Sequence, residues 1–202
     1  MNARVSLWLT AMAFVAALAS PATANAQAKP QAKTKVKPPV TTIYLVRHAE
    51  KDTANPADPA LSAAGAARAL VLRQTLVKRA PVAIFTTDTK RTRTTVAPLA
   101  EALKIEPQVY DPRRGHDLVD RIEKEYHGKT VVVVGHSNTL LPFIDDFGAT
   151  RPVEEIADNE YDYLFTVRLM DGATPTVEVR GYGAERKGKA AAKPSAQAAP
   201  MK

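Results

Sequence analysis

Two histidines and two arginines stand in short polar segments that follow apolar stretches of the chain. Arg47 and His48 come directly after residues 41–46, Arg91 lies a few residues beyond another apolar stretch, and His136 follows a run of valines. Arginine guanidinium groups fork onto phosphate oxygens, and an imidazole can act as a nucleophile on phosphorus. The residue types therefore suit phosphoryl transfer in which cations neutralise the phosphate oxygens without a metal ion.

The apolar stretches are typical of buried strands that alternate with helices. Four consecutive valines, 131–134, indicate a central strand that is covered on both faces. Strands alternating with helices predict an α/β fold, a three-layer arrangement with a mostly parallel central sheet and helices on both faces. The dipeptide Asp171-Gly172 predicts a C-terminal hairpin at or near an edge of that sheet. Strands are predicted at 41–46, 82–86, 108–110, 130–135, 163–170 and 176–182, and helices at 62–79, 90–103, 117–126 and 138–147.

Parallel strands bring their carboxyl ends to one edge of a sheet, where the helices that follow them also begin. That edge would hold Arg47, His48, Arg91 and His136, with two helix N-termini that favour anions. Taken singly, each residue has an ordinary interpretation, such as a hydrogen-bonded buried histidine or a solvated arginine. Their joint position at strand ends is what favours a phosphate site.

The net charge of +7 over 202 residues would by itself suggest a nucleic acid or an anionic membrane as the partner. Residues 1–40 and 186–202 hold ten of the basic residues and no acid, whereas 41–185 hold 18 basic and 21 acidic residues. The sequence thus encodes a mildly acidic domain with basic extensions, and no nucleic-acid partner is expected. The absence of cysteine excludes disulfides, thiolate metal ligands and a cysteine nucleophile.

The first 26 residues are predicted to be a signal peptide. Arg4 precedes the uncharged, mostly apolar stretch 5–20, and Ala-x-Ala sites follow, with cleavage expected after Ala26. An uncleaved anchor is the alternative, but 5–20 is shorter than the ~20 residues that span a bilayer. We expect a periplasmic or secreted protein with no stable membrane span after cleavage. The predicted organisation is a signal peptide at 1–26, a Lys/Pro/Ala linker at 27–40, a folded domain at 41–184 and a disordered basic tail at 185–202.

Four segments of the domain resemble one known family. Arg47-His48 at the end of the first strand is similar to the Arg-His-Gly signature of the histidine phosphatase superfamily, which has the phosphoglycerate-mutase-like fold. Residues 86–92 resemble its Ser-Ser-Pro-Leu-Lys-Arg-Ala segment, 135–138 its second-histidine motif, and 58–65 its Leu-Thr-x-x-Gly helix entry. The motifs occur in the family's order between about residues 41 and 182.

The resemblance implies a two-step mechanism on a small phosphorylated substrate. His48 would attack the phosphorus of a phosphomonoester and become phosphohistidine, which water then hydrolyses. Arg47, Arg91 and a protonated His136 would bind the phosphoryl oxygens, with no metal and no organic cofactor. The expected protein is an exported phosphoric monoester hydrolase. The alternative is a weak or inactive member of the fold that binds phosphorylated ligands in the cell envelope.

The acid that protonates the leaving group is the least defined residue of the predicted site. Asp117 lies in the window where the mutase branch has its acid, although an ordinary acid near a helix N-terminus fits the position equally well. Asn138 and Glu50 are further candidates for substrate contact. Asn138 is also a common residue at a helix start, and a structural role is the alternative for Glu50.

Overall fold

The structure is a computed structural model that describes residues 38–184. The predicted signal peptide, linker residues 27–37 and the basic tail lie outside the described residues. Within the described range, no helix is long and apolar enough to cross a membrane.

One six-stranded sheet forms the centre of the domain, in the order β3-β2-β4-β1-β5-β6. Strands β3, β2, β4 and β1 run parallel, and β5 and β6 form an antiparallel hairpin at one edge. The turn of the hairpin contains Gly172 at φ +71°, a conformation that glycine adopts without strain. The strands are β1 (Val40–Arg47), β2 (Ala83–Thr86), β3 (Gln108–Val109), β4 (Thr130–Gly135), β5 (Tyr163–Met170) and β6 (Thr176–Gly181).

Helices cover both faces of the sheet, as the alternation of side chains in the central strands requires. In β1, Ile43 and Leu45 pack in the same cluster as residues of α3 and α4, whereas Tyr44 and Val46 pack with α1 and α2. The valines of β4 alternate in the same way, and all four are fully buried. The predicted three-layer α/β fold is confirmed. The helices are α1 (Ala63–Leu76), followed by the 3₁₀ turn Val77–Arg79, α2 (Lys90–Leu103), α3 (Gly115–Glu125) and α4 (Ser137–Asp146).

The start of α1 fixes the loop that carries the predicted nucleophile. Ser62 caps the helix by accepting a hydrogen bond from the backbone N–H of Gly65 at 3.2 Å. A Cβ atom on Gly65 would lie 2.1 Å from the carbonyl oxygen of Glu50. Only glycine therefore lets α1 approach the segment that follows β1 this closely.

The strand register aligns the two histidine-bearing strand ends. Arg47 pairs with Gly135 across β1 and β4, and the backbone N–H of His48 donates to the carbonyl oxygen of Gly135 at 3.0 Å. The backbone N–H of Ala49 donates to Oγ1 of Thr95 in α2 at 2.9 Å. Strand pairing and one helix side chain thus hold the segment after β1 beside the segment after β4.

Candidate active site

His48 is buried, with 4% of its surface exposed, and its ring is held in one tautomer. Nδ1 lies 2.8 Å from the carbonyl oxygen of Ala49, which can only accept, so Nδ1 carries the proton and Nε2 the lone pair. Burial lowers the pKa of His48 to about 3, with the nearby Arg47 and Arg91 acting in the same direction and the hydrogen bond to Ala49 opposing them. At neutral pH the ring is uncharged, which is the form that a nucleophile needs.

His136 lies at the N-terminus of α4, and its ring centroid is 5.5 Å from that of His48. Arg91 Nη2 donates to its Nδ1 at 3.4 Å, so the ring proton lies on Nε2, which donates to Oγ1 of Thr87 at 3.0 Å. Burial, then the charges of Arg91 and Arg47, lower the pKa of His136 to about 4. Desolvation and two guanidinium groups thus disfavour a third positive charge in the free site, and the predicted protonated His136, which concerns the site with a phosphoryl group bound, stays a prediction.

The Arg47 guanidinium is buried beneath the segment between α4 and β5. Its Nη1 donates to three backbone carbonyl oxygens, those of Ala157 at 2.8 Å, Asp158 at 3.1 Å and Glu160 at 3.2 Å. Its Nε is also buried and has no hydrogen-bond partner. One edge of the guanidinium is thus fixed by the protein, and the Nε donor is left for another acceptor.

Arg91 presents a second buried Nε without a partner, from the first turn of α2. An unfilled buried donor costs roughly 1–3 kcal/mol, and more when it belongs to a charged group. An anion bound between Arg47 and Arg91 would fill both donors and offset the two positive charges. The four predicted residues therefore form one cluster whose electrostatics favour an oxyanion.

Comparison with known families bears on this cluster directly. Residues 43–113 match the model of the histidine phosphatase superfamily (branch 1), a range that contains Arg47, His48 and Arg91. This part of the chain is therefore similar to the histidine phosphatase superfamily. His136 lies beyond the matched range, and the pairing of β1 with β4 is what brings it to the cluster. No curated protein sequence matches the chain.

Solved structures share the fold of this domain at low sequence identity. A mycobacterial glucosyl-3-phosphoglycerate phosphatase is 14% identical, with a TM-score of 0.57 over 72% of this chain and 100% of its own. The protein histidine phosphatase SixA, complexed with tungstate, is 14% identical, with a TM-score of 0.55 over 69% of this chain and 96% of its own. The mycobacterial enzyme with inorganic phosphate is 14% identical, with a TM-score of 0.54 over 71% and 97%.

Glu50, predicted as a substrate contact or a structural residue, pairs with Arg68. Nε of Arg68 donates to both carboxylate oxygens at 2.9 Å, and Nη2 donates to Oε1 at 2.7 Å. Nη1 of Arg68 also donates to the carbonyl oxygen of Tyr182 at 2.6 Å. This largely buried ion pair joins the loop after His48 to α1 and to the end of β6, which gives Glu50 a structural role, and its predicted contact with substrate stays a prediction.

We expect Glu50→Gln to lower the free energy of unfolding by about 2 kcal/mol at pH 7, because it leaves the Arg68 guanidinium without its carboxylate. Burial alone would raise the pKa of Glu50, but the hydrogen bonds from Arg68 outweigh it and hold the pKa below the usual 4.5. The stabilisation is therefore fully present above pH 4.5 and is lost as the pH falls through the folded-state pKa. Urea unfolding from pH 7 to pH 3 should show wild type and variant converging. Glu101→Gln, on the exposed face of α2, is the control, and an equal loss there would contradict the assignment.

Asp117 and Asn138 are not brought into the cluster by hydrogen bonds or ion pairs. The Asp117 carboxylate, in the first turn of α3, pairs with Arg114 and with Nε2 of His116, the latter at 2.9 Å. Asn138 is exposed in the first turn of α4. Asp117 as proton donor remains a prediction without a structural contact to support it.

A cavity of about 360 Å³ opens beside His136. Its wall includes two carboxylates, Asp88 and Asp111. Arg113 holds the pKa of Asp111 down at about 2, so this group is a carboxylate at neutral pH. Across residues 38–184, no group of three histidine, aspartate or glutamate side chains is arranged to hold a metal ion. The cavity is lined by Thr87, Asp88, Thr89, Val109, Tyr110, Asp111, Pro112 and His136.

Two residues of the site were missed at the level of sequence. Thr87 is 1% exposed and accepts a hydrogen bond from Nε2–H of His136, and the only sequence signal for it was a hydroxyl in the segment 86–92. Tyr161 lies against both Arg47 and His48, with its ring centroid 4.3 Å from Cζ of Arg47. It lies far along the chain from either residue and outside every motif, so nothing in the sequence pointed to it.

Proposed function

We propose that the protein hydrolyses small phosphomonoesters through a phosphohistidine intermediate on His48. The observation that carries the proposal is the state of the His48 ring, whose Nε2 lone pair is free because Nδ1–H donates to the carbonyl of Ala49. The Nε–H donors of Arg47 and Arg91, which have no partner, supply groups that can bind the phosphate. A neutral nucleophile next to two phosphate-binding cations is what phosphoryl transfer to nitrogen needs.

The similar structures give this proposal further support. SixA was solved with tungstate, and the mycobacterial phosphatase with inorganic phosphate, both tetrahedral oxyanions. Both proteins are named as phosphatases, and both share the fold of this chain. By analogy, the cluster here is expected to take the phosphoryl group of a substrate.

In the first step, the Nε2 lone pair of His48 forms a bond to phosphorus, and the bond from phosphorus to the ester oxygen breaks. The leaving oxygen keeps that electron pair and takes up a proton. The ring becomes positively charged, and the hydrogen bond from Nδ1 to Ala49 stabilises that charge. Arg47 and Arg91 hold the other phosphoryl oxygens, and the added negative charge raises the pKa of His136 above its value in the free site.

In the second step, a water molecule attacks the same phosphorus from the side that the alcohol has left. The phosphorus–nitrogen bond breaks, its electron pair returns to Nε2, and inorganic phosphate is released. The water loses a proton to solvent or to a nearby base. His48 ends neutral with its Nδ1–H bond intact. In this scheme the nucleophile and every binding cation are side chains of this domain.

The test is the hydrolysis of p-nitrophenyl phosphate by purified protein across pH, with and without EDTA. We expect turnover that EDTA does not reduce, because the positive charge comes from arginine. Turnover that disappears with EDTA would contradict the proposal. A protein that binds tungstate but hydrolyses no monoester would fit the alternative, a phospho-ligand-binding member of the fold. That alternative is favoured by one observation, that the carboxylate predicted as donor is paired elsewhere.

Asp117→Asn tests the predicted proton donor. Loss of a proton donor slows the hydrolysis of alkyl phosphates far more than that of p-nitrophenyl phosphate, because an alkoxide is the poorer leaving group. Since Arg114 and His116 hold the Asp117 carboxylate, we expect the ratio of the two rates to stay at its wild-type value. A selective loss with the alkyl substrate would instead assign Asp117 as the acid. Asp120→Asn, an exposed acid on the same helix, is the control.

We further propose that the protein is exported to the periplasm or secreted. The support is the sequence pattern of residues 1–26. N-terminal sequencing of the protein recovered from cells should give Gln27 as its first residue. A mature protein that begins at Met1 would contradict cleavage.

A further inference from the structure

The segment 157–161 between α4 and β5 encloses the Arg47 side chain. It is closed on itself, since the backbone N–H of Glu160 donates to the carbonyl of Ala157 at 2.9 Å and the backbone N–H of Ala157 donates to Oε2 of Glu160 at 3.0 Å. This turn aims three of its carbonyl oxygens at one atom, Nη1 of Arg47. The turn therefore restrains one end of the guanidinium group.

Tyr161 is the last residue of this segment, and its ring restrains one face of the same guanidinium group. Cζ of Arg47 lies 4.3 Å from the centre of the tyrosine ring, within range of a cation–π interaction. The same ring lies 5.9 Å from the His48 ring, centroid to centroid. One half-buried side chain thus contacts both the phosphate-binding cation and the nucleophile.

The ring matters because the three carbonyl oxygens hold the Arg47 guanidinium at Nη1 alone. The guanidinium is planar, so fixing Nη1 and one face also fixes the direction of its Nε–H. That Nε–H is the buried donor left without a partner. The carboxylate of Asp158 lies 3.8 Å from Nη2 and is fully exposed, which makes it a weak and salt-screened restraint, and the carboxylate of Glu160 also acts on Arg47.

We propose that Tyr161 is a positioning residue of the active site, acting through its ring. Stacked on Arg47, the ring directs the Nε–H toward the phosphoryl group and forms a wall beside His48. The expected effect on kcat/KM rests on the proposed function, whereas the expected effect on oxyanion binding does not. The competing role, in which the phenol hydroxyl protonates the leaving group, needs the hydroxyl and not the ring.

The experiment compares Tyr161→Leu with Tyr161→Phe in the full chain. The leucine variant should weaken the binding of tungstate and of inorganic phosphate about tenfold, and lower kcat/KM by a similar factor. The phenylalanine variant keeps the ring and should recover most of both losses, with an unchanged pH profile. Tyr126→Leu is the matched control, since Tyr126 is also half-buried and lies near a cation, with Lys129 Nζ 5.8 Å from its ring.

Three results would overturn the inference. Oxyanion binding and kinetics unchanged in Tyr161→Leu would show that the ring positions nothing. Equal losses in the phenylalanine and leucine variants, with loss of the alkaline limb of the pH profile, would assign the acid role to the hydroxyl. Equal losses in Tyr126→Leu would mean general destabilisation, which thermal unfolding would also report. If wild type binds tungstate but hydrolyses nothing, the proposed function fails, and the binding comparison still tests Tyr161.

Discussion

His48→Ala should lower kcat for p-nitrophenyl phosphate at least ~10³-fold, because it removes the atom that bonds to phosphorus. The structure sharpens this expectation to one nitrogen. Nδ1 is committed to the carbonyl of Ala49, so the phosphoryl group should be carried on Nε2. Wild-type protein quenched in alkali during turnover should show a phosphohistidine signal in ³¹P NMR, and the variant should show none.

A remote histidine provides the matched control for this variant. His127 precedes β4, at the end of that strand opposite to His136, and its Nε2 pairs with Asp171 at 2.9 Å on the surface. His127→Ala should keep both the turnover and the ³¹P signal. Tungstate binding should survive in His48→Ala, since Arg47 and Arg91 remain. Substantial turnover by His48→Ala would remove this histidine from the mechanism.

Arg91→Ala should lower kcat/KM about 10²- to 10³-fold, the usual effect of removing one preorganised donor to a developing oxyanion. It also removes the hydrogen bond to Nδ1 of His136 and one of the two guanidinium charges that, after burial, lower the pKa of that histidine to about 4. The pKa of His136 should therefore rise, and a histidine NMR titration of the free protein should show it.

Arg93 provides a closely matched control for the Arg91→Ala variant. It lies two residues further along α2, is 48% exposed, and pairs with Asp88 at 2.8 Å. Arg93→Ala removes the same charge from the same helix and should change kcat/KM little, because an exposed ion pair contributes little. Similar losses in the two variants would mean that overall positive charge, and not the position of Arg91, drives activity. Arg91→Lys should recover only part of the loss, since an ammonium cannot reproduce the guanidinium fork.

The parts of the site that the sequence predicted all depend on short-range patterns. The valine run of β4 and the apolar stretch of β1 predicted parallel strands, and Arg47, His48 and His136 follow their ends by one or two residues at most. Placing such residues needs only the rule that parallel strands share their carboxyl edge. Ser62 as the cap of α1 was predictable for the same reason, since capping acts over three residues.

The predictions that stayed open concern side-chain partners distant in sequence. Glu50 is adjacent to the nucleophile in sequence, but its carboxylate is bound by Arg68, 18 residues away. The charge state of His136 follows from its burial and from Arg91, 45 positions earlier in the chain. Neither partner can be chosen from the sequence, because many arginines are available and only packing selects one.

By itself the sequence determined the three-layer sheet, the superfamily resemblance and the identity of the clustered histidines and arginines, because periodicity and strand-end position are local properties. Only the tertiary structure decided how these groups are held: the tautomer of His48, the neutral His136 of the free site, the three carbonyl oxygens at Nη1 of Arg47 and the Tyr161 ring beside it. The last two features arise where segments more than 100 residues apart meet, as Arg47 and the 157–161 segment do. Burial and hydrogen bonding in the folded domain set the protonation and direction of each group, and local pattern carries no information about either.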